Sequence, residues 1–184
     1  LRQNLIGVGI LWKYGYYDQE RNSNALMKTS LIEKNYSFLQ DTDLMFTVNV
    51  HNAPVHVRAF LLRPEVFGSA PLFLLSTDLP ENDAESRSIT HCLYDANEAT
   101  RIAQSIVLGI GGAMLLDLLQ LTPEIYHLNE GHGVALNFYL YAKYKTLDEV
   151  RKKVVFTTHT PENAGNEEHS FDLLDEMSFF YQLN

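Results

Sequence analysis

The run EIYHLNEGHGVALNFYLYAKYKTLDEVRKKVVFTTHT, residues 124–160, decides how this chain is read. It begins with a short strand candidate, Glu124-Ile125-Tyr126-His127-Leu128-Asn129, and turns through Glu130-Gly131-His132-Gly133 into a helical run ending at Tyr144. Thr146 and Glu149 are spaced as a capping box, which predicts a second helix over residues 146–153. That helix feeds the strand candidate Val154-Val155-Phe156-Thr157-Thr158, with His159 at its C-terminal end. Strand, helix and strand in this order predict parallel βαβ pairing, because short apolar runs between helices suit strands covered on both faces. The expected class is therefore α/β.

Working outward, Ile102, Ile106, Ile110, Ala113 and Leu116 recur at spacings of three and four, predicting a long helix with one buried face over residues 97–119. Gly109-Ile110-Gly111-Gly112 lies inside that period. A dinucleotide fingerprint would need a glycine where Met114 stands, and no Walker lysine follows, so these glycines are expected to let the helix pack closely on a neighbour. Residues 44–50 and 55–61 are rich in β-branched and aromatic side chains and predict a hairpin turned at His51-Asn52-Ala53-Pro54. A third strand is expected at residues 71–75, then a polar surface loop from Asp78 to Asp83 running into Ser86. Residues 5–19 interleave Gly7, Gly9 and Gly15 with Trp12, Tyr14, Tyr16 and Tyr17 at neither period, so an irregular or partly helical opening is expected.

At 184 residues and 46% hydrophobic, the chain can bury the core of one α/β domain. Its 23 acidic residues against 14 basic ones give a net charge of -9, which disfavours nucleic acid and anionic lipid and leaves a neutral polar partner such as a carbohydrate compatible. The longest apolar stretch, residues 106–116, is about half of the roughly 20 residues that span a bilayer, so no membrane association is expected. Cys92 has no partner for a disulfide and no export signal opens the chain, which predicts a reducing, cytoplasmic setting. The chain starts at Leu1 inside an apolar-aromatic segment, and a piece of something larger is expected.

Open parallel sheets bind ligands beyond the C-terminal ends of their strands. Two predicted strands end in polar groups: Asn129-Glu130-Gly131-His132, and Thr158-His159-Thr160 followed by Pro161-Glu162-Asn163-Ala164-Gly165-Asn166. Helix capping and turn chemistry would account for either group alone. Together they point to a site for a neutral polyol, which needs convergent donors and acceptors rather than net charge. His127, Glu130 and His132 approach the inverted zinc motif, but Gly131 adds a residue and moves His132 off the required face, so no metal is expected. The histidines at 51, 56, 91 and 169 are given no role, and no nucleophile elbow is present.

Five segments stand in order: Gly7-Val8-Gly9 through Tyr17-Asp18-Gln19, Leu74-Leu75-Ser76-Thr77-Asp78-Leu79-Pro80, Leu108-Gly109-Ile110-Gly111-Gly112, Tyr126-His127-Leu128-Asn129-Glu130-Gly131-His132, and Phe156-Thr157-Thr158-His159-Thr160-Pro161. In this order they resemble the α-glucan phosphorylases of bacteria and archaea. The resemblance implies a Rossmann-like parallel sheet with flanking helices and a β-hairpin insertion, part of the N-terminal domain of a two-domain GT-B fold. Residues 1–90 would form the opening segment and β-rich part, residues 91–184 the βαβ part, and the C-terminal cofactor domain would lie outside the chain.

It also implies phosphorolysis of the terminal α-1,4-linked glucose of a glucan to glucose 1-phosphate. α-1,4-Glucan and phosphate are then the partners and a homodimer is a possible parent assembly. Pyridoxal phosphate would be held by the absent domain, with no cofactor contact in this chain and no activity of the chain alone. His159 matches the histidine at the catalytic strand end. Asn129, Glu130, His132 and Thr160 fall on substrate-binding positions, and Asn97 lies near that of a sugar-contacting asparagine. Glu130 stands where relatives carry Asp, and Pro161-Glu162-Asn163-Ala164-Gly165 departs from their Pro-Val-Pro-Ala-Gly. A non-catalytic carbohydrate-binding module and a glycogen-synthase-like transferase are the competing readings; against the latter, no early Lys-x-Gly-Gly-type loop is present in the chain.

Overall fold

The computed structural model describes residues 4–162 and 166–183. Asn163, Ala164 and Gly165, part of the divergent loop noted above, lie outside the described residues.

Strands β1 (Gly7–Ile10), β4 (Gln40–Val50), β5 (Ala53–Leu62) and β6 (Leu72–Ser76) form one sheet in the order β1-β6-β5-β4. β1 runs parallel to β6, whereas β6 with β5 and β5 with β4 are antiparallel. The predicted hairpin is therefore no insertion but half of the main sheet. Its turn is also tighter than the sequence suggested: only His51 and Asn52 lie outside the strands, both at positive φ (51° and 58°), as a two-residue turn matching strand twist requires. Pro54 fits inside β5 because β6 pairs only with Arg58–Leu62, leaving that side of β5 without a ladder at Pro54.

β1 corrects the reading of the opening as irregular. Gly7 faces Leu72 and Gly9 faces Leu74, and a Cβ at Gly7 would meet Leu72 Cδ1 at 2.7 Å. The neighbouring strand's leucines fill the space that β1 side chains would take, so the alternation that announces a strand is missing. A small hairpin of β2 (Asp18–Arg21) and β3 (Met27–Ser30) was also unexpected; its side chains are almost all exposed and polar enough to carry no pattern.

The long helix is found as predicted, as α3 (Glu98–Ile106), a π-helical turn (Val107–Gly111) and α4 (Gly112–Leu118). Its glycines do pack closely: a Cβ at Gly109 would lie 2.7 Å from Leu136 N and 2.8 Å from Gly133 O, and one at Gly112 would lie 3.2 Å from Val8. The whole 21-residue helix is long and apolar enough to cross a bilayer, but most of its apolar length is buried within this chain. Its apolar face is core, with Ile102, Ile106, Val107 and Ile110 packed on Val48, Val57 and Leu75 of the sheet.

On the far side lie α5 (Leu136–Tyr144), α6 (Leu147–Lys153) and a second sheet, the parallel pair β7 (Tyr126–Asn129) and β8 (Val154–Thr157). Among the described residues the parallel strand pairs are β1–β6 and β7–β8, and the expected single parallel sheet is two pieces whose cores meet at Val8 and Tyr139. Short helices α1 (Pro64–Phe67), α2 (Ala84–Ser88) and α7 (Phe171–Glu176) complete the fold. The predicted surface loop is partly interior: Leu79 is buried, and the Asp78 carboxylate binds Lys13 at 2.8 Å and Arg87 at 2.7 Å.

Candidate functional site

β7 and β8 pair in register, Tyr126 with Val154 through Asn129 with Thr157, so their C-terminal ends finish side by side. Alternation turns Tyr126 and Leu128 into the core and leaves His127 and Asn129 outside. His127 Nε2 lies 2.8 Å from Thr157 Oγ1, tying the outer face of the pair together.

The next residue breaks the strand. Glu130 has φ 60° and ψ -173°, a conformation that costs a non-glycine residue on the order of 1–3 kcal/mol, and its N–H donates to Thr157 O at 2.9 Å. That twist lays the carboxylate across the end of β8. Glu130 Oε1 accepts from the His159 N–H at 2.5 Å and from the Thr160 hydroxyl at 3.2 Å, while Oε2 accepts from the Thr158 hydroxyl at 3.0 Å. The His159 N–H holds the Glu130 carboxyl below the usual glutamate range against the opposing effect of desolvation, and the two hydroxyls and the nearby imidazole add smaller lowering effects. His159 Nε2 is 2.6 Å from Asn129 Oδ1. With that oxygen as acceptor, Nε2 is the donor.

The structure thus joins four of the sequence-predicted residues, Asn129, Glu130, His159 and Thr160, in one hydrogen-bonded group. His132 follows in the 3-10 turn Gly131–Gly133, exposed, with its ring 6.2 Å from that of Tyr94. Asn97 is in a different position: its side chain caps the core helix by accepting from Thr100 N at 3.2 Å, and among the described residues no hydrogen bond joins it to the other five. The group is an open ledge. A surface depression of about 570 Å³, lined by Ser37, Phe38, Leu39, Gln40, Arg63 and Val66, contains none of these residues. Among the described residues no three His, Cys, Asp or Glu side chains are grouped as metal ligands; His127 and Glu130 turn to separate partners.

No protein-family model matches the chain. Over 179 residues it is 36% identical to the maltodextrin phosphorylase of Thermococcus litoralis, covering 89% of this chain and 21% of that protein. Over 186 residues it is 33% identical to the glycogen phosphorylase of Mycobacterium tuberculosis, covering 88% of this chain and 21% of that protein. The chain is homologous to the maltodextrin and glycogen phosphorylases. The chain is also 48% identical over 180 residues to an uncharacterised protein of Methanocaldococcus jannaschii, covering 98% of the chain and 34% of that protein. It spans between about a fifth and a third of the length of these relatives.

One participant in the ledge was missed in the sequence and another was given no role of its own. Thr158 was read within the polar end of the β8 strand but not as a site residue, yet its hydroxyl is one of the three donors on Glu130; the in-register end of β8 opposite β7 is the signal that would have found it. Tyr94 stands beside His132 and makes an edge contact with Tyr16, their rings 6.0 Å apart, in a cluster that also holds Tyr17. Residues nearly eighty positions apart carry no sequence signal for that contact.

Proposed function

We propose that this chain is part of the sugar-binding wall of an α-glucan phosphorylase, in the N-terminal half of a two-domain GT-B protein that converts the terminal α-1,4-linked glucose of a glucan to glucose 1-phosphate. One observation carries the reading: in a homologue of named phosphorylases, two polar strand ends converge so that Asn129 and Glu130 hold His159 and Thr160 at the open edge of a parallel strand pair. Neutral sugars are recognised by such fixed donors and acceptors, and groups preorganised around a ring that flattens towards an oxocarbenium ion act most strongly in the transition state. His159 holds the glucose that is cleaved. Asn129, His132 and Thr160 complete the wall, Glu130 holds the end of β8 behind them, and Asn97 stands apart as the cap of the core helix.

Pyridoxal phosphate and the cations that bind phosphate belong to other parts of the whole protein. Lys13, Lys34, Lys143 and Lys152 pair with Asp78, Asp18, Asp117 and Glu149, and among the described residues no lysine or arginine bonds to the Asn129, Glu130, His159 and Thr160 group. These residues do not fit a pyridoxal phosphate site, and no step through that cofactor is assigned to this chain. A cytoplasmic location, glucan and phosphate as substrates, and a homodimer go with the reading.

The test is phosphorolysis of maltodextrin by the full-length protein, with His159→Ala beside it. Loss of one preorganised donor typically lowers kcat by about 10²–10³, while loss of uniform binding raises KM. His159→Ala is expected to depress kcat, and the 184-residue chain alone to form no glucose 1-phosphate. Near-parental kcat per folded molecule would remove His159 from the site.

A further inference from the structure

We infer that Glu130 is a positioning residue for His159 rather than a contact to the acceptor sugar; the inference rests on the phosphorylase reading for what His159 does. Were β7 to continue one residue further, the Glu130 side chain would follow the strand alternation. Its φ of 60° turns the chain instead, and the carboxylate bridges to the end of β8. Both oxygens are then engaged by three consecutive residues, the hydroxyls of Thr158 and Thr160 and the main-chain N–H of His159. Two carboxylate oxygens offer about four acceptor positions, so three are in use before any sugar arrives.

The next link is His159 itself. Asn129 fixes its ring at Nε2 and Glu130 fixes its backbone, so two adjacent residues of one strand end hold both parts of the residue. A main-chain anchor prevents translation, and a ring anchor prevents rotation. A misplacement of about 1 Å near a reacting centre can lower turnover about a hundredfold. Glu130 therefore acts through His159, and its loss should be felt in turnover.

The test compares the full-length parental protein with Glu130→Gly and Glu130→Gln. Glycine adopts the positive φ without strain, so the backbone turn is kept while the carboxylate is removed; glutamine keeps one acceptor oxygen. Amide hydrogen exchange at residues 158–160 should rise about tenfold or more in Glu130→Gly and less in Glu130→Gln, with exchange elsewhere unchanged. With maltodextrin, kcat should fall about tenfold or more in Glu130→Gly at a KM within about threefold of parental, and Glu130→Gln should recover part of the loss. Unchanged exchange at residues 158–160 in Glu130→Gly overturns the inference. So does a raised KM at parental kcat, the mark of a direct sugar contact. If the parental protein forms no glucose 1-phosphate, the phosphorylase reading fails, while the exchange measurement still decides whether Glu130 holds residues 158–160.

Discussion

Asp78 shows how single side chains support this fold. Burial alone would raise its carboxyl, yet hydrogen bonds from Lys13 and Arg87, with the charges of Lys13 and His91, hold it at about 2. Its folded-state value lies below the unfolded value, so the stabilisation is present above about pH 4 and is lost as pH falls towards 2. With solvent screening on its open side, the contribution is on the order of 1 kcal/mol at neutral pH. Asp78→Asn should therefore unfold at lower temperature at pH 7, and the gap to the parental protein should narrow between pH 4 and pH 2. Thermal midpoints across that range check it, and parallel profiles would show that Asp78 adds nothing. At this scale the sequence was partly legible. The polar strand ends picked out Asn129, Glu130, His159 and Thr160 because polar residues beyond apolar strands are conspicuous. Asn97 shows the other side: the structure uses its side chain as a helix cap, the role its residue type most often has at such a position.

Elements were legible where packing leaves a period. The core helix was read to within a residue of its observed ends because its burial repeats at regular spacing, and β8 from its apolar run alone, with Val155 and Phe156 exposed. β1 was not, since glycines opposite Leu72 and Leu74 erase its alternation, and β2 with β3 was not, since an exposed polar ribbon has none. The core helix also yields a prediction. Alanine at Gly109 would gain about 1 kcal/mol of helix propensity, but its Cβ would meet the backbone atoms Leu136 N at 2.7 Å and Gly133 O at 2.8 Å, which cannot rotate away. Gly109→Ala should destabilise the protein by about 1–3 kcal/mol net. Gly131→Ala, where an added Cβ meets nothing within 4 Å, should stay within about 0.5 kcal/mol. Urea unfolding of the two variants separates these outcomes, and equal midpoints would show that the helix can shift away from its neighbour.

Across the whole molecule, the C-terminal segment closes on the hairpin. Ser178 is buried, its hydroxyl accepts from Asn52 N at 2.7 Å, His51 N donates to Met177 O at 3.1 Å, and Met177 and Phe179 enter the main core. Ser178→Ala leaves the Asn52 N–H without its partner and should cost about 1–3 kcal/mol, or several degrees of thermal midpoint. A midpoint within a degree of parental would mean that water replaces the hydroxyl. None of this was readable beforehand, because residues 126 positions apart meet only after the sheet is built. The β7–β8 pair has a consequence of another kind. Among the described residues β8 has a ladder on one side only, and Val155 and Phe156 are 47% and 54% exposed. A strand held by one neighbour opens at lower free energy than one held by two, so the segment that presents His159 belongs to the softer part of the molecule. Anything that grips residues on both strands acts there as a second ladder, and occupancy at a hundred times Kd would firm the bound state by about 2.7 kcal/mol.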